Sequence, residues 1–384
     1  MLASCRRAGL EPVVTLQHFT HPEWLGADIW LDERSPGVFA DFAVAALEAV
    51  NDELVARQQS QPIGWLITIN EPNMLVLNTY MGSQFPSGRR KRGFGSAVRA
   101  CNGLLRAHVR AYAAIHDLYQ RKGWNRPRVT FNNYCSDLYW SDKIMLDLVT
   151  AKERGIARHD LHAYICEKSE ALTEALRAAR LDMHRDLPYW FGRIFKSVSN
   201  WLGRRTFSPK LFAPLLDEMD RSSCSVFIDY LGLDYYDPFM AHLFRFPRFG
   251  DNVFHTPGLR DWMMNSVTSK WWDWRVLPRG LEAFCDYYSR DLGGRDVLIA
   301  ENGMALQRDR HNRRIPRADR MTRSRFLRLH VHEVMRMLER GIPVVGYLHW
   351  SLFDNYEWGS YTPRFGLYSI DYTAGTDRVA VDDS

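Results

Sequence analysis

The sequence predicts an α/β fold in which parallel strands alternate with helices, and it favours a closed (β/α)8 TIM barrel over an open sheet. Six short runs are rich in Val, Ile, Leu and aromatic residues, and most are continuous rather than alternating. Continuous apolar runs are typical of strands that are buried on both faces of a parallel sheet. The predicted strands are Pro12–His18, Ile63–Asn70, Arg128–Asn133, Val226–Tyr236, Asp296–Glu301 and Pro343–Trp350.

Helical patterns separate these runs. The chain begins with the last turns of a helix that Gly9 ends, because glycine favours the left-handed conformation at a helix C-terminus. The segment 135–225 is far longer than one βα step of about thirty residues, so we expect a long insertion with extra helices or a lid. No repeat or Gly/Ser/Pro-rich linker divides residues 1–384, which indicates a single barrel domain. The predicted helices are Val38–Gln58, Ser96–Lys122, Ser141–Gly155, Pro209–Arg221, Arg279–Leu292 and Asp319–Gly341.

The ends of the predicted strands distinguish a barrel from an open sheet. Each run finishes in polar or aromatic residues, and all strand C-termini of a barrel converge on the face that carries the chemistry. An open sheet often has a glycine-rich first turn, but no G-x-G-x-x-G or G-x-x-x-x-G-K-[ST] occurs. The barrel is therefore favoured. The terminal residues are His18, Asn70-Glu71, Asn132-Asn133, Asp234-Tyr235-Tyr236, Glu301-Asn302 and Trp350.

Composition excludes several classes of protein. With 46% hydrophobic and 25% charged residues the chain is neither disordered nor collagen-like, and no apolar run is long enough to span a membrane. A net charge of +5 is too small a bias to indicate nucleic-acid binding. Six scattered cysteines, without a sequon or a leader, indicate a reducing compartment, and we expect the cytoplasm. The 13 Trp, 17 Tyr and 20 Phe suit sugars as ligands, although large cores also take up aromatic residues.

Two carboxylates end strongly apolar strands. Glu71 follows Trp65–Asn70, and Pro72 predicts an extended backbone at Glu71. Glu301 ends Val297–Ala300, and Gly303 allows a sharp turn after it. A carboxylate beside an apolar run is costly unless it is paired, hydrogen-bonded or neutral. Two of them on one barrel face could share a site in which one is protonated and the other ionised. The alternative is that each is a structural cap or an ion-pair partner.

Five segments resemble the signatures of glycoside hydrolase family 1, which contains retaining β-glucosidases and β-galactosidases. They follow the family's order over nearly the whole chain. The resemblance implies a TIM barrel of which strands 3 to 8 are present, while the first two βα units and most of the last helix are lacking. The segments are Val14–Phe19, Thr68-Ile69-Asn70-Glu71-Pro72, Leu231–Tyr236, Ile299-Ala300-Glu301-Asn302-Gly303 and Trp350–Trp358.

The resemblance also implies catalytic roles. Glu71 would be the general acid/base and Glu301 the nucleophile, Asn70 would hydrogen-bond the sugar's 2-hydroxyl, and Tyr236 would hold the carboxylate of Glu301. A retaining glycosidase needs two carboxyl groups about 5–5.5 Å apart. No metal or organic cofactor is needed for this chemistry.

The family's sugar-binding residues are matched by His18, Glu357 and Trp358, which would bind hydroxyls, and by Trp350, which would form the platform under the ring. Asp234 stands where the family usually has Asn, and an ionised Asp there would disturb the charge balance of the nucleophile. Four tryptophans follow the segment Leu231–Tyr236, namely Trp262, Trp271, Trp272 and Trp274. Some of them are expected to line the leaving-group side.

Together these residues imply a retaining exo-β-glycosidase that hydrolyses O-linked β-D-glucosides or related β-glycosides through a glycosyl-enzyme ester. The substrate would be a small β-glycoside or an oligosaccharide, with neither a nucleic acid nor a membrane as partner. An anionic Glu357 disfavours 6-phosphorylated sugars. The acid at Glu71 points to ordinary O-glycosides. The alternative is a catalytically inactive truncated barrel that acts as a sugar-binding or interaction remnant.

Overall fold

The computed structural model describes residues 1–82, 92–183, 185–243, 271–308, 313–358, 361, 363–371 and 380–382. The chain forms two compact units, and each brings together segments that are distant in sequence. The first unit comprises Met1–Asn133, Ser141–Lys168 and Thr206–Gly232, and the second comprises Tyr134–Trp140, Ser169–Arg205 and Leu233–Ser384.

The first unit is built on parallel strands that helices cover. The strands Val13–Gln17, Trp65–Asn70 and Arg128–Tyr134 lie side by side, with Trp65 paired to both Val13 and Arg128. The central strand is buried from Leu66 onward because a helix layer packs over it. Helix Phe94–Lys122 contacts helices Ser35–Ala56, Lys143–Val149 and Ala213–Arg221. The helices of this unit are Leu2–Arg7, Ser35–Ala56, Phe94–Lys122, Lys143–Val149 and Ala213–Arg221, and helix Leu161–Ala178 begins in it.

The second unit repeats this plan. Strand Val297–Asn302 lies between Leu231–Tyr235 and Val344–His349, and it pairs in parallel with the latter. All six residues of the middle strand are buried, and helices Pro278–Asp291 and Arg323–Glu339 pack against each other. A short antiparallel sheet and a second pair of strands complete the unit. These are Arg314–Ile315, Leu306–Arg308 and Pro363–Arg364, and Tyr368–Ile370 with Ala380–Asp382.

All six predicted strands are confirmed, with one substantial shift. The run from Val226 was predicted as strand, but the strand begins at Leu231. The intervening backbone bonds elsewhere, because His108 Nε2 lies 2.7 Å from the Phe227 carbonyl oxygen. The residues just before Leu231 are mostly apolar because they are mostly buried, although they do not belong to the strand.

The helices also follow the sequence pattern, although the helix predicted over Ser141–Gly155 spans only Lys143–Val149. The last predicted helix begins at Arg323 rather than Asp319, because the Thr322 side chain accepts a hydrogen bond from Arg325 N and caps it. Helices Leu161–Ala178 and Leu187–Thr206 occupy the segment for which extra helices were predicted. The predicted single domain stays a prediction.

No helix among the described residues combines the length and apolar character that a membrane crossing requires. No disulfide joins any of the six cysteines, all of which lie in described segments. The cytoplasmic localisation expected from the sequence stays a prediction.

Asp229 fixes the start of the strand that leads to Asp234 and Tyr236. Its carboxylate accepts hydrogen bonds from Tyr112 Oη at 2.8 Å and from Val129 N at 2.9 Å, and His116 Nε2 lies 3.1 Å away. Burial raises the pKa of this carboxyl, but the hydrogen bonds from His116 and Val129 outweigh burial and leave the pKa below its ordinary value. The ionised form is therefore the stabilising form.

Replacing Asp229 with Asn should lower the free energy of unfolding by about 2–4 kcal/mol, because it removes a charge that satisfies several buried donors. Since the pKa is depressed in the folded protein, this contribution is present above the unfolded-state pKa and is lost as pH falls through the folded-state pKa. Urea denaturation at pH 7 and at pH 3.5 measures both effects. Asp220→Asn removes an exposed ion pair to Arg158 and should cost at most about 0.5 kcal/mol. Equal losses in the two variants would contradict the role of Asp229.

Candidate active site

Glu71 lies at a sharp turn in the first unit, directly after strand Trp65–Asn70. It is buried and has φ +37° and ψ +57°, in the left-handed region. The extended backbone predicted from Pro72 is therefore wrong. The chain reverses at Glu71 into the helical turn Pro72–Met74, and a left-handed conformation achieves this within one residue. Such strain costs roughly 1–3 kcal/mol and is typical of functional sites.

The residues next to Glu71 form a polar chain. Asn132 Nδ2 donates to Asn70 Oδ1 at 2.7 Å, and Asn70 Nδ2 lies 3.3 Å from His18 Nε2. Burial lowers the pKa of His18 to about 4, so the imidazole is neutral at pH 7 and its Nε2 can accept from the amide. Both ends of the Asn70 amide are thus oriented. Asn132 was predicted only as a strand end, without a role in the site.

Glu301 lies in the buried strand Val297–Asn302 of the second unit. Tyr236 Oη donates a hydrogen bond to Glu301 Oε2 at 2.8 Å. Burial is the largest influence and raises the pKa of Glu301; the Tyr236 hydrogen bond opposes this, and the charge of Glu357 adds to it. Asp234 adds a second acid, since one of its carboxylate oxygens lies within 4.8 Å of one from Glu301.

Trp350 and Glu357 form another polar contact of this unit. Trp350 Nε1 donates to Glu357 Oε1 at 2.8 Å. Burial raises the pKa of Glu357 to about 7, with the Trp350 hydrogen bond opposing this and Asp354 adding to it. Trp358 follows directly and has φ +43°, so the chain turns sharply after Glu357. Gly303 has a steric rather than a turning role, because a β-carbon there would overlap the Trp350 carbonyl oxygen.

An aromatic cluster surrounds Tyr236. Its ring stacks on Tyr134 with centroids 5.8 Å apart and contacts Trp274 at 5.4 Å. Arg317 donates to the carbonyl oxygens of Trp272 and Trp274 at 2.6 Å each, which fixes the backbone of this segment. Trp262 lies outside the described residues. The cluster comprises Tyr236, Trp272, Ala305 and Phe365, with Tyr134, Trp271, Trp274 and Trp350 packed against it.

The structure thus groups the predicted site residues within each unit. In the first unit His18 and Asn70 are in contact and Glu71 follows directly. In the second unit Asp234 and Tyr236 both lie close to Glu301, and Trp350 contacts Glu357. Asn302 was not predicted as a site residue. It accepts from Tyr347 Oη at 2.8 Å and bonds the Tyr235 carbonyl, so it ties neighbouring strands together beside Glu301.

Comparison with known proteins gives a family match over almost the whole chain. The model of "Glycosyl hydrolase family 1" matches residues 1–383. Similar curated proteins include Beta-glucosidase 40 of Arabidopsis thaliana, which is 26% identical over 97% of this chain and 70% of its own length. Beta-glucosidase A of Thermotoga maritima is 24% identical over 98% of this chain and 72% of its own length. A 6-phospho-beta-galactosidase of Clostridium acetobutylicum is 23% identical over 97% of this chain and 73% of its own length.

Solved structures show the same fold. A beta-glucosidase from Thermotoga maritima in complex with castanospermine superposes with a TM-score of 0.60 at 20% identity, covering 100% of this chain and 73% of that one. The same enzyme in complex with glucoimidazole gives a TM-score of 0.61 at 19% identity, with 74% of that chain covered. The TIM-barrel fold class predicted from the sequence is therefore confirmed. By the family match over residues 1–383, the chain belongs to glycosyl hydrolase family 1 and is a glycoside hydrolase.

Proposed function

We propose that the protein is a retaining exo-β-glycosidase that hydrolyses O-linked β-D-glucosides or closely related β-glycosides by double displacement. The observation that carries this proposal is the buried Glu301 carboxylate, whose Oε2 accepts a hydrogen bond from Tyr236. A carboxylate that is desolvated and held by one oxygen is suited to attack an anomeric carbon with the other. The beta-glucosidases among its relatives support the choice of substrate class.

In the first step Glu301 Oε1 attacks the anomeric carbon from the face opposite the leaving oxygen. The glycosidic C–O bond breaks, Glu71 gives its proton to that oxygen, and the aglycone leaves as a neutral alcohol. A glycosyl ester on Glu301 remains, and Glu71 is now a carboxylate. A retaining mechanism of this kind requires two carboxyl groups about 5–5.5 Å apart.

In the second step Glu71 takes a proton from a water molecule, and the water oxygen attacks the anomeric carbon. The ester bond breaks, and its electrons return to Glu301 as a carboxylate. The sugar leaves as the β-anomer because inversion occurs twice. Formation of the ester removes the negative charge of Glu301, so the proton affinity of Glu71 falls and it can act as a base.

Tyr236 and Asn70 are proposed to position the reacting groups. Tyr236 bonds Glu301 Oε2, which leaves Oε1 for attack and favours the ionised carboxyl against the effect of burial. Asn70 is oriented by Asn132 and is proposed to bond the 2-hydroxyl of the sugar. In the glycosyl-transfer transition state such a hydrogen bond strengthens.

The remaining site residues are proposed to bind the non-reducing sugar. Trp350 offers an aromatic platform, and its indole N–H holds Glu357 so that this carboxylate can accept hydrogen bonds from sugar hydroxyls. His18 and Trp358 are proposed to contribute further hydroxyl contacts. Above its pKa of about 7 Glu357 is anionic and would repel a 6-phosphate, so we propose unphosphorylated sugars even though a 6-phospho-beta-galactosidase is among the relatives.

The alternative of an inactive sugar-binding remnant has less support. A remnant has no need for a buried carboxylate near a second acid, which costs folding free energy. Both Tyr236 and Trp350 nevertheless donate to buried acids here. These contacts favour catalysis over binding alone.

The two proposed roles differ in the stereochemistry of azide rescue. Glu301→Gly should lower kcat on 4-nitrophenyl β-D-glucoside by about four orders of magnitude, and azide should restore turnover as the α-glycosyl azide. Glu71→Gly should retain ester formation on 2,4-dinitrophenyl β-D-glucoside, whose leaving group needs no proton, and azide should then give the β-glycosyl azide. NMR of the products measures both outcomes. The same anomer from both variants, or no adduct from Glu301→Gly, would contradict the assignment.

Substitutions of the two neighbours of Glu301 should shift the pH profile in opposite directions. The acid limb of kcat/KM follows ionisation of the nucleophile. Tyr236→Phe removes the hydrogen bond that lowers the Glu301 pKa, so the limb should move to higher pH by about half a unit or more. Glu357→Gln removes a charge that raises this pKa, so the limb should move to lower pH. Shifts in the same direction would show that Glu301 does not control the acid limb.

A further inference from the structure

Helix Leu187–Thr206 directs its large apolar side chains to solvent. Trp190, Phe191, Ile194 and Trp201 are 48%, 58%, 62% and 49% exposed. At 3.6 residues per turn they lie on one face of the helix with the exposed Leu187 and Val198. We name these six side chains the apolar helix face. Its three aromatic residues alone expose about 300 Å², the size of the largest apolar patch of many monomeric proteins.

The opposite face of the helix packs against the rest of the second unit through small and polar residues. A β-carbon at Gly192 would overlap the backbone of Met240, and one at Gly203 would overlap the Trp140 ring, so the helix lies close against both. Lys196 Nζ bonds Asp137 Oδ2 at 2.8 Å on this inner face. The helix therefore cannot rotate to bury its apolar residues without losing these contacts.

The charge on the helix has one sign. Residues 187–206 include four basic and no acidic side chains. Lys196 and Arg204 are paired with Asp137 and Glu170, whereas Arg193 and Arg205 place their guanidinium groups over the exposed rings of Trp190 and Trp201, at 5.5 and 4.7 Å from the ring centroids. Arg and Trp side by side at the edge of an apolar face suit the boundary between lipid acyl chains and phosphates.

We propose that the apolar helix face binds the surface of a bilayer that contains anionic lipids. The helix, about 30 Å long, would lie parallel to the bilayer with its aromatic and aliphatic side chains among the acyl chains and Arg193 and Arg205 at the phosphates. This is an interfacial arrangement, since the helix is not apolar enough to cross a membrane. The proposal is independent of the glycosidase mechanism, and it departs from the expectation, drawn from the sequence, that no membrane is a partner.

Charge favours a bilayer over a second copy of the chain as the occupant. In a two-fold dimer through this face, the helices of both copies would meet with only basic side chains on them. The arginines of one copy would find no acidic partner on the helix of the other. Lipid phosphates supply that partner, at about 1 kcal/mol for each basic residue near the surface.

The test is co-sedimentation of the full chain with vesicles of phosphatidylcholine, with and without a quarter of phosphatidylglycerol. Binding to the anionic vesicles should be about tenfold weaker in Ile194→Glu/Val198→Glu. The matched control is Val331→Glu/Met335→Glu, which changes exposed apolar residues, also four apart, on helix Arg323–Glu339 and should leave binding unchanged. Arg193→Gln/Arg205→Gln should abolish the preference for anionic vesicles and should retain the weak binding to neutral ones.

Three results would overturn the proposal. The first is that the full chain does not sediment with anionic vesicles, and the second is that both Glu pairs weaken binding equally. The third is that sedimentation velocity shows a dimer that Ile194→Glu/Val198→Glu converts to a monomer, which would assign the face to a second copy. Circular dichroism and hydrolytic activity in solution confirm that each variant is folded, because these surface positions lie outside the proposed catalytic groups.

Discussion

The burial of one carboxylate is the constraint on which the rest of the site depends. Glu301 lies in a strand whose six residues are all buried, where an ionised group loses its hydration. The Tyr236 hydroxyl offsets part of the cost of this lost hydration by donating a hydrogen bond to Oε2. Much of the surrounding structure serves this contact: Tyr134 and Trp274 pack on the Tyr236 ring, and Arg317 fixes the backbone that carries Trp274.

The burial of Glu301 and Glu357 opposes the stability of the fold. Burial raises the pKa of both Glu301 and Glu357 above the ordinary value of 4.5. Between pH 4.5 and about 7 these two groups therefore bind more protons in the folded chain than in the unfolded chain, and their contribution to the free energy of unfolding falls as pH rises through this window. Asp229 acts in the opposite sense, since its depressed pKa stabilises the fold above the unfolded-state pKa. Burial thus acts on Glu301 and Glu357 without enough hydrogen bonds to offset it, whereas the hydrogen bonds to Asp229 outweigh its burial.

The sequence was sufficient for the strands and for the buried acids at their ends, but not for local geometry or for the orientation of helices. Continuous apolar runs ending in Asn70 and Glu301 identified both strand ends, because burial on two faces leaves a strong pattern. The left-handed backbone of Glu71 was not predictable from Pro72, since proline disfavours the right-handed helix region without choosing among the others. The periodicity of Leu187–Thr206 does not reveal which face points inward. That depends on close contacts at Gly192 and Gly203, which exist only in the folded chain.

The central claim is that Glu301 forms the covalent bond to the sugar, and trapping that ester tests it most directly. In 2-deoxy-2-fluoro-β-D-glucosyl fluoride, the fluorine at C2 slows both steps while the fluoride leaving group speeds the first, so the ester accumulates. Peptide mass spectrometry of the inactivated protein should locate one fluoroglucosyl group on Glu301. Attachment to Asp234 or Glu357, or hydrolysis of β-glucosides without any trapped ester, would contradict the account.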